Sequence, residues 1–379
     1  MGRNNLSGSR TVIFLGAGAS CSDGAPLQGD LFRRYFEHYN QLPSGRLYHE
    51  WDRELATFFP DFFGINTDDL NEVRIKPFPT FEEVLGVIEI ANSQGEGFRE
   101  WGAAGILDAQ RKPRIQHLHD VLVFLIAETL DVTLQKPAIN HPKLIKNLED
   151  AKTLQDYCFI SLNYDILIDN ALLGSQKSMG LDLDNGIEFL NFGLNWQKPR
   201  PAHSVRLLKL HGSLNWLYCP TCRGIAITPK EKGVCRLKWQ PNECLCEVCQ
   251  SVTVPIIIPP TFFKTLSNYF IRQIWYLAEQ ELMQCDRIVF CGYSFPEADV
   301  HIRYLLKRVE VNRQQRPPDV FIVNGPASDG GLGQSELKKA EKVRYGRFLK
   351  SRVFWTDEKF EEFCGDPSLI VTGTHERLR

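Results

Sequence analysis

Apolar positions along the chain fall into two alternating rhythms. Short solid runs rich in β-formers recur at Thr11–Leu15, Asp156–Asn163, Val205–His211, Asp286–Gly292, Asp319–Asn324 and Arg352–Trp355, and such runs read as buried strands. Between them the apolar residues space out at three and four. Leu31, Phe32 and Phe36 share one face of a helix predicted over Leu27–Tyr39. Leu118, Val121, Leu122, Leu125 and Ile126 do the same over Arg114–Leu130. Further helices are predicted over Glu82–Ile90, Pro142–Leu148, Tyr164–Leu173, Leu266–Met283, Asp299–Val309 and Leu337–Leu349, with an acidic helix after Trp355. Val254–Pro260 is an apolar run stopped by proline. Residues 1–10 read as a flexible lead-in, and Leu42–Gly45 and Asn92–Gly97 as turns.

Strands alternating with helices predict an α/β protein with a doubly wound, mainly parallel sheet. The spacing is uneven at one place. About 135 residues separate the first strand from the second, far beyond an ordinary crossover, so residues 27–150 read as a mostly helical insertion inside a single domain spanning 1–379. The stretch Thr11–Pro26 organises the rest. A buried strand runs into Gly16-Ala17-Gly18, and Ser20, Ser22 and Asp23 offer capping oxygens to the adjoining helical segment. Strand, glycine turn and helix form the geometry that meets a pyrophosphate. The dinucleotide fingerprint asks for a third glycine three residues after Gly18, where Cys21 stands.

Charge and composition narrow the class. With 379 residues and a formal net charge of −2, the chain can bury a large core and carries no basic-patch footprint of a nucleic-acid binder. The leading MGRNNLSGSR is polar, and the longest apolar run, Val121–Ala127, is far too short for a bilayer span. The expectation is a cytoplasmic protein with no membrane partner. Eleven cysteines in that setting read as metal ligands and buried thiols rather than disulfides.

In open parallel sheets ligands sit beyond the carboxyl ends of the strands, so those ends carry the candidate chemistry. They read Gly16-Ala17-Gly18-Ala19-Ser20, then Asn163-Tyr164-Asp165, His211-Gly212-Ser213, Gly292-Tyr293-Ser294, and Asn324-Gly325-Pro326. Packing alone wants apolar residues there. Each residue has a plainer reading: Asn163 and Asp165 as helix caps, His211 as a satisfied core histidine, the glycines as turns. A second signal lies between the third strand and the long helix. Cys219-x-x-Cys222 and Cys246-x-x-Cys249 flank 23 residues, close to a zinc-ribbon spacing, inside a cysteine-rich module over 217–252. Four thiolates suit a closed structural Zn2+ site. Cys235 and Cys244 are left over and either could replace a ligand, and C-x-x-C pairs can also cycle between thiol and disulfide.

Taken in order, these motifs resemble the sirtuin family: GAG-x-S at Gly16–Ser20, Asn-x-Asp at Asn163–Asp165, His-Gly at His211, two C-x-x-C pairs, Gly-x-Ser at Gly292–Ser294 and a strand-end Asn at Asn324. The resemblance implies a Rossmann-like doubly wound fold with a zinc-ribbon-like module. It implies NAD+ as substrate, with Asn163 and His211 catalytic and Asp165 at the carboxamide. Gly16, Ala17, Gly18, Ser20 and Pro26 would lie along the cofactor loop, and Gly292, Ser294 and Asn324 around the adenosine half. Protein-deacylating sirtuins carry Gly-x-Pro-Asp-Phe-Arg where this chain has Gly24-Ala-Pro26-Leu27-Gln28. They place Gln where Leu162 stands, and Phe-Gly-Glu where this chain has Ile258-Pro-Pro-Thr-Phe262. With KLHGSLNW, these departures resemble the sirtuin-like NAD+ hydrolases of bacterial antiphage defence. That implies NAD+ depletion as the effector act, a homo-oligomer, and control by assembly or by a HerA-like ATPase or Argonaute-type sensor. The alternatives are an NAD-dependent protein deacylase, a non-catalytic NAD or ADP-ribose sensor, and a purely structural zinc-bearing module.

Overall fold

The computed structural model describes residues 9–41, 50–99, 101–102, 115–192, 198–228, 231–239, 242, 244–258, 268–325, 334–372 and 375–378. The lead-in over 1–8, the Leu42–Gly45 turn, most of Ile258–Phe262, and Pro326 lie outside them.

The chain starts with β1 (Thr11–Leu15) and a five-residue helix α1 (Ala17–Cys21). Then come α2 (Leu31–Asn40), α3 (Glu50–Phe63), α4 (Leu70–Ile75), α5 (Phe81–Gln94), α6 (Ile115–Thr133) and α7 (Asn140–Asp150). Strand β2 (Tyr157–Ser161) leads to α8 (Leu167–Met179), β3 (Asp182–Asp184) and β4 (Ser204–Lys209). A small antiparallel sheet comes next: β5 (Gly212–Tyr218), β6 (Ile225–Ile227), α9 (Gly233–Trp239) and β7 (Val254–Ile257). The last third alternates α10 (Tyr269–Gln284), β8 (Arg287–Cys291), α11 (Val300–Asn312), β9 (Asp319–Val323), α12 (Gln334–Phe348) and β10 (Val353–Thr356), closing with α13 (Phe360–Gly365), α14 (Leu369–Thr372) and β11 (Glu376–Arg377).

The main sheet has the order β11-β10-β9-β8-β1-β2-β4-β3 and is parallel except for β11. Without its two edge strands this is the 3-2-1-4-5-6 order of a dinucleotide-binding sheet, and the chain reverses direction between β1 and β8. Alternation along each strand feeds two cores. Val12, Phe14, Ile160, Leu208, Phe290 and Ile322 face α10, α11 and α12. Ile13, Leu15, Phe159, Leu207, Val289 and Phe321 face α7, α8 and α13. A third core, rich in phenylalanine, lies among α2, α3, α5 and α6 and reaches α9. Some of its rings meet edge to face, as in Phe36 against Phe59 with centroids 5.1 Å apart, and others stack, as in Phe32 on Phe81.

Three expectations change. The pattern predicts a strand over Val205–His211, but β4 stops at Lys209 and a separate strand β5 starts at Gly212. Gly212 makes this turn possible, with φ of 82° and no room for a Cβ against the Ile256 carbonyl. The predicted helix at Leu27 starts at Leu31, after a 3-10 turn. Asn92 and Ser93 belong to α5, which ends on a left-handed Gly95. Among the described residues no helix is long and apolar enough to cross a membrane.

Candidate functional site

The parallel register levels the strand ends. Leu15 pairs with Ser161 and Cys291, Ser161 with Lys209, and Cys291 with Val323. The residues just beyond therefore gather on one edge of the sheet: Gly16, Ala17, Gly18, Ser20, Asn163, Asp165, His211, Gly292, Ser294 and Asn324. Pro26 stands apart, half-buried in the link toward α2.

At the crossing of β1 and β8 the backbones touch. Gly18 N donates to Gly292 O at 2.8 Å, and Gly16 N to Cys291 O at 2.9 Å. Gly292 has φ of 62°, and a Cβ there would collide with Gly18 and Ala19. The glycines thus bring two strand-end turns into contact, and two of their amides are spent on each other.

The side chains form a directional chain. Ser20 is buried, and its Oγ donates to Asp165 Oδ2 at 2.6 Å. Leu167 N, the first amide of α8, donates to Asp165 Oδ1 at 3.1 Å, so Asp165 holds the start of α8 and Ser20 at once. With its proton committed, Ser20 Oγ accepts from Asn163 Nδ2 at 2.8 Å, and the same Nδ2 donates to Gly16 O at 2.9 Å. Both donors of the amide are held, and Oδ1 is its acceptor end. Asn163 is no cap: α8 starts four residues later. His211 is buried, with Nδ1 3.2 Å from Leu162 O. A carbonyl only accepts, so Nδ1 is the donor in this bond, and when the ring is neutral Nε2 carries the lone pair. The Tyr164 ring lies tilted beside it, centroids 6.2 Å apart, and its hydroxyl donates to Ile258 O. Burial pushes the Tyr164 phenol well above its ordinary pKa.

Across β8 and β9, α12 closes the other half. Tyr345 hydroxyl donates to Tyr293 O at 2.6 Å, and Arg344 Nη2 to Ser294 O at 2.8 Å. Asn324 Nδ2 donates to Glu341 Oε1 at 2.5 Å. Burial pushes the Glu341 carboxyl up to about 7, against the opposing pull of the Asn324 hydrogen bond.

The sequence reading missed several residues. Glu341, Arg344 and Tyr345 come from a helix whose registry to β8 and β9 is tertiary. Lys209, Asp169 and Asn215 are fully buried polar groups. Their signal was present: Lys209, Ser213 and Asn215 are polar residues inside the apolar KLHGSLNW. The sequence pattern makes Asp23 a local cap. Instead it accepts from Ile139 N and Asn140 N at 2.9 and 3.0 Å and from His141 Nδ1 at 2.6 Å, capping α7 from 116 residues away.

The four cysteine sulfurs of Cys219, Cys222, Cys246 and Cys249 all lie within 4.8 Å of one another. Cys219 and Cys249 Sγ are 3.4 Å apart, and Cys222 and Cys246 Sγ 3.6 Å. Zinc–sulfur bonds of about 2.3 Å in a tetrahedron ask for sulfurs ~3.8 Å apart, so the set fits one Zn2+. Each pair turns through a left-handed residue, Arg223 or Gln250. The leftover thiols point elsewhere. Cys235 Sγ donates to Ala127 O and is pushed up to about 12 by burial, and Cys244 is buried in the phenylalanine-rich core. A cavity of about 780 Å3 also opens between the α6–α7 link, the start of α8 and α9, away from the glycine turn.

The family model described as SIR2-like domain matches residues 157–346, half of the chain. The chain belongs to the SIR2-like family. That family's chemistry is of the NAD-dependent, sirtuin type. Solved structures similar to this SIR2-like chain include a sirtuin studied for substrate affinity, at 14% identity, covering 96% of this chain and 93% of that one with a TM-score of 0.39. Others are a Sir2 protein with a p53 peptide and NAD+ (14%, 96% and 93%, 0.37) and Sir2Tm bound to a propionylated peptide (15%, 96% and 93%, 0.39). At these TM-scores the likeness carries no argument about the site. No curated protein sequence matches the chain.

Proposed function

We propose that this SIR2-like chain is an NAD+ hydrolase that releases nicotinamide and ADP-ribose. The observation that carries the reading is the pairing of Asn163 and His211. An amide with both donors clamped, leaving an acceptor oxygen, stands at the same sheet edge as a histidine whose Nε2 is basic. Both flank a glycine turn at the switch point of a dinucleotide-type sheet. The glycine turn would receive the pyrophosphate, Asp165 would lie toward the carboxamide, and Gly292, Ser294 and Asn324 would border the adenosine half.

Hydrolysis breaks the bond between ribose C1′ and the pyridinium nitrogen. The electron pair goes to the nitrogen, and nicotinamide leaves neutral. Water oxygen bonds to C1′ through an oxocarbenium-like transition state, and one proton is released. A neutral leaving group needs no strong acid. The step needs a positioned water and a base. Asn163 Oδ1 accepts a hydrogen bond from the water or a ribose hydroxyl, and His211 Nε2 takes the proton. Zn2+, held by the four cysteines, would brace the small sheet away from the chemistry. In the cell this activity would deplete NAD+ as an antiphage effector, and control by self-assembly or by a sensor partner of the ATPase or Argonaute type would keep it off. Support for that role is the sequence resemblance.

The test is nicotinamide release from NAD+ by the purified chain with no peptide present. Release is expected, and it is expected to fall about 100-fold or more in His211→Ala and Asn163→Ala with the fold intact. Undiminished turnover in either variant would sink the assignment. Release that appears only with an acetyl-lysine peptide would replace hydrolase by deacylase.

A further inference from the structure

Beneath the candidate catalytic pair lies a closed ring of buried side chains. Lys209 Nζ donates to Asp169 Oδ2 at 3.0 Å and to Ser213 Oγ at 2.7 Å. Ser213 Oγ donates to Asn215 Oδ1 at 2.6 Å, and Asn215 Nδ2 donates back to Asp169 Oδ1 at 3.4 Å. All four residues are at most 1% exposed. The third ammonium donor goes to the main-chain oxygen of Asp165. A lysine buried this deeply is costly unless fully paired, and here every donor has an acceptor.

The placement matters more than the pairing. Asp165 belongs to the turn after β2 that also carries Asn163. Ser213 lies two residues past His211 on β5. Lys209 ends β4, between them. We infer that Lys209 is a positioning residue that staples the Asn163 turn to the His211 turn and so sets the spacing of the two groups. The geometry gives the staple a direct reach to the reacting end: Asp165 holds Ser20, and Ser20 holds the Asn163 amide. Lys209 touches neither Asn163 nor His211. Its effect passes through Asp165 and Ser213. The inference rests on the hydrolase reading for what Asn163 and His211 do, not for where they stand.

Lys209→Met alone would strand the Asp169 carboxylate in the core and threaten folding. The test therefore uses the full-length double variant Lys209→Met with Asp169→Asn, beside the wild type. Two readouts are taken: NAD+ turnover, and the NMR signals of the His211 imidazole and Asn163 side-chain amide. The variant is expected to unfold cooperatively, hold KM for NAD+ within about twofold, lose kcat about 100-fold as expected for displaced reacting groups, and shift both signals. The signals decide. If they keep their wild-type positions in the folded variant, the staple is overturned. If they move while the wild type itself cleaves no NAD+, the staple stands and the hydrolase reading falls separately.

Discussion

At Glu341 a hydrogen bond and deep burial pull in opposite directions. Its carboxyl is buried against the ends of β8 and β9 and holds Asn324, whose side chain was legible in the sequence only as a polar strand end. Burial lifts its folded pKa from 4.5 to about 7. The folded state therefore binds this proton more tightly than the unfolded chain does. The stability it contributes is complete below pH 4.5 and is lost as pH rises through 7. The shift corresponds to about 3 kcal/mol at full loss. Glu341→Gln keeps an acceptor for Asn324 without the charge, so relative to wild type it should gain stability between about pH 5 and pH 8. Urea unfolding at both ends measures this, and a difference that does not change with pH would refute it. At the same scale Asn163 and His211 were legible because polar residues at apolar strand ends demand a reason. The direction of their hydrogen bonds was not, because it depends on Ser20, 143 residues from Asn163, and on Leu162.

Elements were legible where the apolar rhythm was strong. The five strands bordering the site and helices α2, α5, α6, α10 and α11 track the periodicity to within a few residues. Short ones were not. β6 has three residues and β3 three, too few for a period to show. Strand β5 was hidden because one of its two buried faces carries the polar residues Ser213 and Asn215. The cap of α7 was invisible for another reason: its acceptor, Asp23, lies 116 residues before Ile139, across helices α2 to α6. Burial works against that carboxylate, but the hydrogen bonds from His141, Asn140 and Ile139 outweigh it and hold its pKa well below the usual carboxylate range. That contribution is present at neutral pH and lost as pH falls below that range. Asp23→Ala should strand the first amides of α7 and cost about 3 kcal/mol. Hydrogen exchange should quicken over Asn140–Asp150 while α2 keeps its protection. Unchanged exchange in α7 would show that the cap does not hold it.

The whole molecule joins a parallel sheet, the helices between β1 and β2 and a cysteine-bearing sheet through shared cores. Metal is expected to hold the last of these. The protein should contain one zinc per chain and lose it in Cys249→Ser but not in Cys235→Ser, and a chelator should lower the melting temperature of the wild type. Metal content by elemental analysis decides, and zinc retained in Cys249→Ser would refute the ligand set. By itself the sequence determined the α/β class, which polar residues stand at each strand end and the set of four clustered cysteines, because period, glycine turns and C-x-x-C spacing are local properties. Tertiary structure alone decided the strand order that levels those ends. It decided the α12 contacts at Ser294 and Asn324, and the buried Lys209 ring under Asn163 and His211. Those depend on which distant groups meet in a dry interior, where each donor must find an acceptor, and no local pattern encodes that meeting.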